Sequence, residues 1–199
     1  TYKGFEFDKV LNLLIENLGV YYSYLIEERN IKIHVIGIDK VNNKKYEKEV
    51  KSIFPIIDYY LKDGQKQSIY LDLGNGKIRI DYYFAMLKPH PDTKNYYQKN
   101  MKSSGIEIRI NGRFIQHLAI EQVWTNVNHP MQNGVFISLN LISESSERLP
   151  STKTTKTGLN EADPKTQKIY NWLRLKEPNI SKLIEKRKEE DYIKDIIES

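Results

Sequence analysis

The chain has no cysteine, and among its 199 residues it has only four histidines, three methionines and two tryptophans. The missing cysteine excludes disulfides, thiolate nucleophiles and thiolate-bound zinc together. The histidines, His34, His90, His117 and His129, stand at no paired ligand spacing, so metal chemistry is not expected. No window approaches the roughly 18 continuous apolar residues of a membrane-spanning helix. The start also lacks the basic, apolar, small-residue order of a secretory signal, so a cytoplasmic protein without a membrane partner is expected. Charge of one sign is scarce as well: 31 Lys and Arg against 26 Asp and Glu leave a net +5, mostly interleaved. That excess does not mark a nucleic-acid footprint, which requires clustering on one face. Neither a G-x-S-x-G elbow nor a Walker-A loop is present, and the acids stand in no motif that fixes a catalytic pair.

What is present is a globular balance, 39% hydrophobic and 29% charged residues with 14 Tyr and 6 Phe, which predicts a folded chain. The length suits one domain with an appendage or two small domains, and the opening on Thr1 suggests part of a longer polypeptide. From Phe7 to Glu28, the residues Val10, Leu13, Leu14, Asn17, Leu18 and Tyr21 recur at helical spacing. Asp8 is the expected N-cap of that helix, and Asn30 ends it. "IKIHVIGI" follows as a strand, Asn42-Asn43 as a turn, and Phe54-Pro55 as a break.

Two hairpins are predicted further on. One turns at Gly74-Asn75-Gly76 between alternating runs, the other at Asn111-Gly112, where positive φ is tolerated. In the second, Ile106, Ile108 and Ile110 alternate with Glu107 and Arg109. The stretch from Leu87 to Ser104 reads as a surface loop or short helix and not as core. "GVFISLNLI" reads as a strand buried on both faces, and Asp163-Pro164 as the cap and first residue of a helix. The sum is an α+β fold with a mostly antiparallel sheet and packed helices: a domain over 1–163 and a C-terminal helical extension over 164–199. The charge run from Lys186 to Asp191 reads as a solvated helix face.

Between the last strand and that helix lies "LPSTKTTKTGLNEADP", whose two lysines, Lys153 and Lys156, have no acid between them. A lysine is a compact charge suited to phosphate, and a unit-charge pair at about 4 Å gains roughly 4 kcal/mol at an effective dielectric near 20. A helix start just downstream offers amides as well. Phosphate contact and an ordinary exposed polar loop both remain open. His117 reads as a structural strand residue and His129 as a loop residue within reach of a ligand.

The block "GIEIRINGRFIQHLAIEQVW…GVFISLNLI…LPSTKTTKTGL…DPKTQKIYNWL" resembles the second, transducer domain of GHKL-type ATPases. The likeness is to the MORC-like and mismatch-repair MutL-like branch of bacterial restriction and phage-defence loci, and extends over roughly Asp8 to Leu175. It implies the transducer (ribosomal-protein-type) fold, and a loop lysine that contacts the γ-phosphate of ATP held by a neighbouring domain. By position Lys156 is the first choice and Lys153 the reserve, with Thr155 and Thr157 beside the nucleotide. The implied cofactor is ATP with magnesium in the full-length protein. The implied partners are the N-terminal ATPase domain of the same chain, DNA, and a second copy in a homodimer. The family's E-x-x-x-N helix, D-x-G-x-G loop and glycine-rich lid are expected ahead of Thr1, so no ATP hydrolysis is expected of this chain alone. Two other readings compete. One is a nucleic-acid-binding module built on Lys44, Lys45, Lys48 and Lys51 with Lys94, Lys99 and Lys102, the other a dimerisation role for the C-terminal helices.

Overall fold

The computed structural model describes residues 7–40, 42–61, 66–88, 90, 96–97, 105–124, 134–155 and 158–176. The chain divides into two compact units. One is Thr1–Phe54 with Gly112–Phe114, the other Pro55–Asn111 with Ile115–Ser199.

The first unit is a helix followed by a hairpin. Helix α1 (Phe7–Tyr21) gives way at Tyr22 to α2 (Ser23–Glu28). Asn30, at φ 52°, adopts the left-handed conformation that ends α2 and lets the Ile31 amide reach back to the Leu25 carbonyl. Strands β1 (His34–Asp39) and β2 (Lys44–Glu49) pair antiparallel about the Asn42-Asn43 turn, with Asn43 at φ 54°. The strand therefore starts later than "IKIHVIGI" suggested. Phe7 packs against Tyr46 at a ring separation of 5.2 Å, and any side chain at Gly37 would meet Phe7 and Leu11. Gly19 permits a second close approach: its carbonyl accepts from the Ile53 amide at 3.0 Å, and a Cβ there would press on the Lys51 carbonyl.

Two expectations about α1 are corrected. Asp8 lies inside the first turn of the helix rather than ahead of it as a cap. The apolar row also faces water: Val10, Leu13, Leu14 and Tyr21 are 44–56% exposed, whereas Leu11, Gly19 and Val20 are buried. Because α1 is apolar around much of its circumference, periodicity could not select the inner face. The contacts with Gly37 and Ile53 select it.

The second unit is a six-stranded mixed sheet, so the α+β class with mostly antiparallel pairing holds. Strand β5 (Lys77–Leu87) is its spine, bordered on one side by two short strands in succession, β3 (Ile57–Tyr60) and β4 (Gln67–Asp72). On the other side it pairs antiparallel with β8 (Val135–Ile142), which pairs in parallel with β6 (Gly105–Ile110). Strand β7 (Arg113–Ala119) follows β6 through the Asn111-Gly112 turn and forms the far edge. Both predicted hairpins are present, with Gly74, Gly76, Asn111 and Gly112 all at positive φ.

Alternate residues of β5, β6 and β8, such as Ile80, Ile108 and Leu139, form an apolar layer. Helix α3 (Pro164–Arg174) contributes Ile169, Tyr170 and Leu173 to that layer, and Leu159 joins it. The helix expected to open a C-terminal extension is thus part of this unit's core. The stretch expected to stay out of the core also adds a buried group: Tyr97 is 3% exposed and stands edge-on to Phe136 at 5.5 Å. Its ring supplies the apolar cover that a sheet buried on both faces needs.

Candidate functional site

The lysine loop is a miniature hairpin on two anchored feet. Thr152 and Leu159 form an isolated antiparallel bridge, the Lys153 amide donates to the Gly158 carbonyl at 2.8 Å, and the Asn160 amide donates to Ser151 at 2.8 Å. The first foot is tied to α3: the amide and hydroxyl of Ser151 donate to Asp163 Oδ2 at 2.7 and 2.8 Å. The Lys165 ammonium donates to the carbonyls of Glu147 and Leu149. The second foot is tied to the sheet. Leu159 is fully buried, its amide donates to Gln116 Oε1 at 2.8 Å, and Gln116 Nε2 donates to the Tyr170 hydroxyl at 2.8 Å. A Cβ at Gly158 would press on Gln116 Oε1, so the residue before the foot must be small.

Of the four residues chosen from sequence, Lys156 and Thr157 lie outside the described residues. Lys153 and Thr155 lie on the exposed part of the loop, Thr155 with a contact inside the protein. The Lys153 ammonium stands 3.0 Å from Glu161 Oε1, the two side chains 47% and 64% exposed. A solvent-exposed pair of this kind is worth about 0–1 kcal/mol, so Lys153 is only weakly held by Glu161.

The N-terminus of α3 is less available. Asp163 caps it by accepting the Lys165 amide at 2.9 Å, which places a carboxylate where an anion would sit. Burial pushes the Asp163 carboxyl up, but hydrogen bonds from the Ser151 and Lys165 amides, the Ser151 hydroxyl and the Lys165 charge outweigh it and hold the group below the usual aspartate range. The helix amides are therefore already engaged by Asp163.

The letters D-x-G-x-G, expected ahead of Thr1, also occur inside the chain at Asp72-Leu73-Gly74-Asn75-Gly76. There they close the β4–β5 hairpin: Asp72 Oδ1 accepts the Gly74 amide at 2.7 Å, and the Leu73 amide donates to the Gly76 carbonyl at 3.4 Å. That carboxylate oxygen is used by its own turn.

A second polar feature was missed by sequence reasoning. Glu107 and Arg109 alternate with isoleucines and would ordinarily face water, yet they are 2% and 3% exposed and paired, Arg109 Nε to Glu107 Oε1 at 2.6 Å. Strand register continues them into two polar rows across the sheet, Glu107–Ser138–Tyr83 and Arg109–Asn140–Asp81. The Tyr83 hydroxyl is pushed far up by burial and then by the Glu107 charge, against a hydrogen bond with Ser138. Tyr97 is raised by the same two causes. Burial lowers the Arg109 pKa, but the charge of Glu107 and its hydrogen bond prevail, so the guanidinium stays charged. The signal was legible in β8, where Ser138 and Asn140 interrupt an apolar run at the same two-residue spacing as Glu107 and Arg109.

Of the lysines of the nucleic-acid reading, Lys44, Lys45, Lys48 and Lys51 are described. Lys48 donates to Asn12 and shares the α1 side of β2 with Lys44 and Tyr46, whereas Lys45 stands opposite and pairs with Glu47 at 3.6 Å. Lys51 is exposed beyond the strand. Lys94, Lys99 and Lys102 lie outside the described residues, as do His129 and the run from Lys186 to Asp191. His117 is half-buried on β7 and engaged within the protein. No protein-family model and no curated protein matches the chain. No helix among the described residues is long and apolar enough to cross a membrane.

Proposed function

We propose that this chain is the transducer module of a GHKL-type ATPase, in which the lysine loop contacts the terminal phosphate of ATP held by a separate nucleotide-binding domain. One observation supports the reading: the loop's stem, where Thr152 pairs with Leu159, is bound on one foot to Asp163 at the start of α3 and on the other to Gln116 of β7. A charge on such a support is positioned before the phosphate arrives, and preorganised charge is what stabilises a transferring phosphoryl group. Lys156 is the first contact and Lys153 the reserve, released from Glu161 when an anion competes. Among the described residues the loop's two carboxylates are already engaged, Glu161 by Lys153 and Asp163 by Ser151 and Lys165, which leaves neither free for magnesium. Magnesium ligands and the base that activates water belong to the nucleotide-binding domain. Bound ATP supplies the phosphoryl group whose loss reports on the nucleotide state. The module passes that state to a homodimer acting on DNA.

The test is steady-state ATP turnover of the full-length protein. Lys156→Ala lowers kcat about 10-fold or more, because a positioned charge at developing phosphate charge is worth a few kcal/mol. The 199-residue chain alone turns over no ATP. Normal turnover in both Lys156→Ala and Lys153→Ala removes the assignment.

A further inference from the structure

The geometry points to Gln116 as the joint through which the lysine loop and helix α3 are coupled, a positioning role that rests on the phosphate-contact reading of the loop. The carboxamide is 8% exposed, and both of its ends are used at once. Oε1 takes the Leu159 amide from the loop's second foot, and Nε2 gives to the Tyr170 hydroxyl in the middle of α3, each at 2.8 Å. The bond from Leu159 requires oxygen on the loop side, so the nitrogen must face Tyr170. Burial pushes the Tyr170 hydroxyl up, with the Gln116 hydrogen bond opposing, which keeps that hydroxyl neutral and able to pair.

The backbone leaves this joint little slack. Leu159 is fully buried, and Gly158 lies so close to Gln116 Oε1 that a side chain there would push the carboxamide aside. Along the chain, the same two elements are linked only through the short segment 160–163, which carries Glu161, the partner of Lys153, and the cap Asp163. When Glu161 loses Lys153 to a phosphate, the second foot can move only by lengthening or breaking a bond at Gln116. Both partners of that residue are buried, so a bond broken there leaves a buried polar group unpaired. A displacement of the second foot is therefore transmitted to Tyr170, near the centre of α3. Gln116 sets where the lysine stands and carries its movement to the helix.

Amide hydrogen exchange on the 199-residue chain tests the joint, and turnover of the full-length protein tests its consequence. Gln116→Met keeps the volume and removes both bonds. It should speed exchange at the Leu159 and Lys153 amides about tenfold or more while the β5 and β8 amides keep their protection. Gln116→Glu still accepts from Leu159 and from Tyr170, and restores loop protection. Ile169→Val, a core change that leaves the joint intact, does not expose the loop. In the full-length protein Gln116→Met lowers kcat severalfold with KM for ATP within about twofold, since it affects presentation of the charge more than nucleotide binding. Unchanged exchange at Leu159, equal acceleration across the whole sheet, or no rescue by Gln116→Glu overturns the proposal. If Lys156→Ala slows turnover and Gln116→Met does not, the joint is refuted while the phosphate contact stands. If the exchange pattern holds but Lys156→Ala turns over normally, the phosphate contact fails and the loop-to-helix joint survives.

Discussion

Removing Arg109 should strand a carboxylate inside the sheet. The pair is made at 2.6 Å with the two side chains 4% and 3% exposed, and Glu107 Oε2 has no hydrogen-bond partner. With charge centres about 4 Å apart, the attraction lost at an effective dielectric near 20 is about 4 kcal/mol, within the range of roughly 3–5 kcal/mol for breaking a buried pair on one side. Arg109→Met should therefore destabilise the protein by about 3–5 kcal/mol. Glu107→Leu with Arg109→Met removes both charges and should lie within about 1 kcal/mol of the parent. Urea unfolding, followed by the fluorescence of buried Trp124 and of Trp172 at its core contact, reads parent, single and double variant. A single-variant loss below about 1 kcal/mol, or a double variant as unstable as the single, would refute the reasoning.

Asp163→Ala should cost about 1 kcal/mol, the usual worth of a helix N-cap, and loosen the first foot of the loop by releasing Ser151. Because the folded Asp163 value is depressed, its contribution is complete above the ordinary aspartate value of 3.8 and drains as pH falls below it, so acid unfolding curves of parent and variant should converge there. Gly112→Ala introduces a side chain at φ 83° against the Tyr24 ring and should lower stability by about 1–3 kcal/mol in the same urea assay; Asn111→Gly suits φ 50° but loses the side chain's bonds to the Ser143 amide and carbonyl, and should cost about 1 kcal/mol.

Much of the second unit was legible one element at a time. The Gly74-Asn75-Gly76 and Asn111-Gly112 turns announce themselves because positive φ restricts residue choice within two or three positions. The largely apolar run of β8 implies burial on both faces, and Asp163-Pro164 marks a helix start through local hydrogen bonding alone. Burial of charge was not legible in the same way. Glu107 and Arg109 look like the wet side of an amphipathic strand until β8 and Tyr97 cover them, and that cover comes from residues distant in sequence. The lysine loop was visible by composition, but its stem and anchors were not, because Gln116 lies 43 positions from Leu159 and 54 from Tyr170.

By itself the sequence determined the kind and order of most elements, the absence of thiol chemistry, and the polar loop with its two lysines, since these depend on side-chain identity and on contacts a few residues apart. Tertiary structure alone decided which side of α1 is buried, which charges leave water, and that the loop stands on Gln116 and α3. Those outcomes depend on which distant surfaces meet, and the desolvation of a charge or the choice of a buried face has no energy until they do.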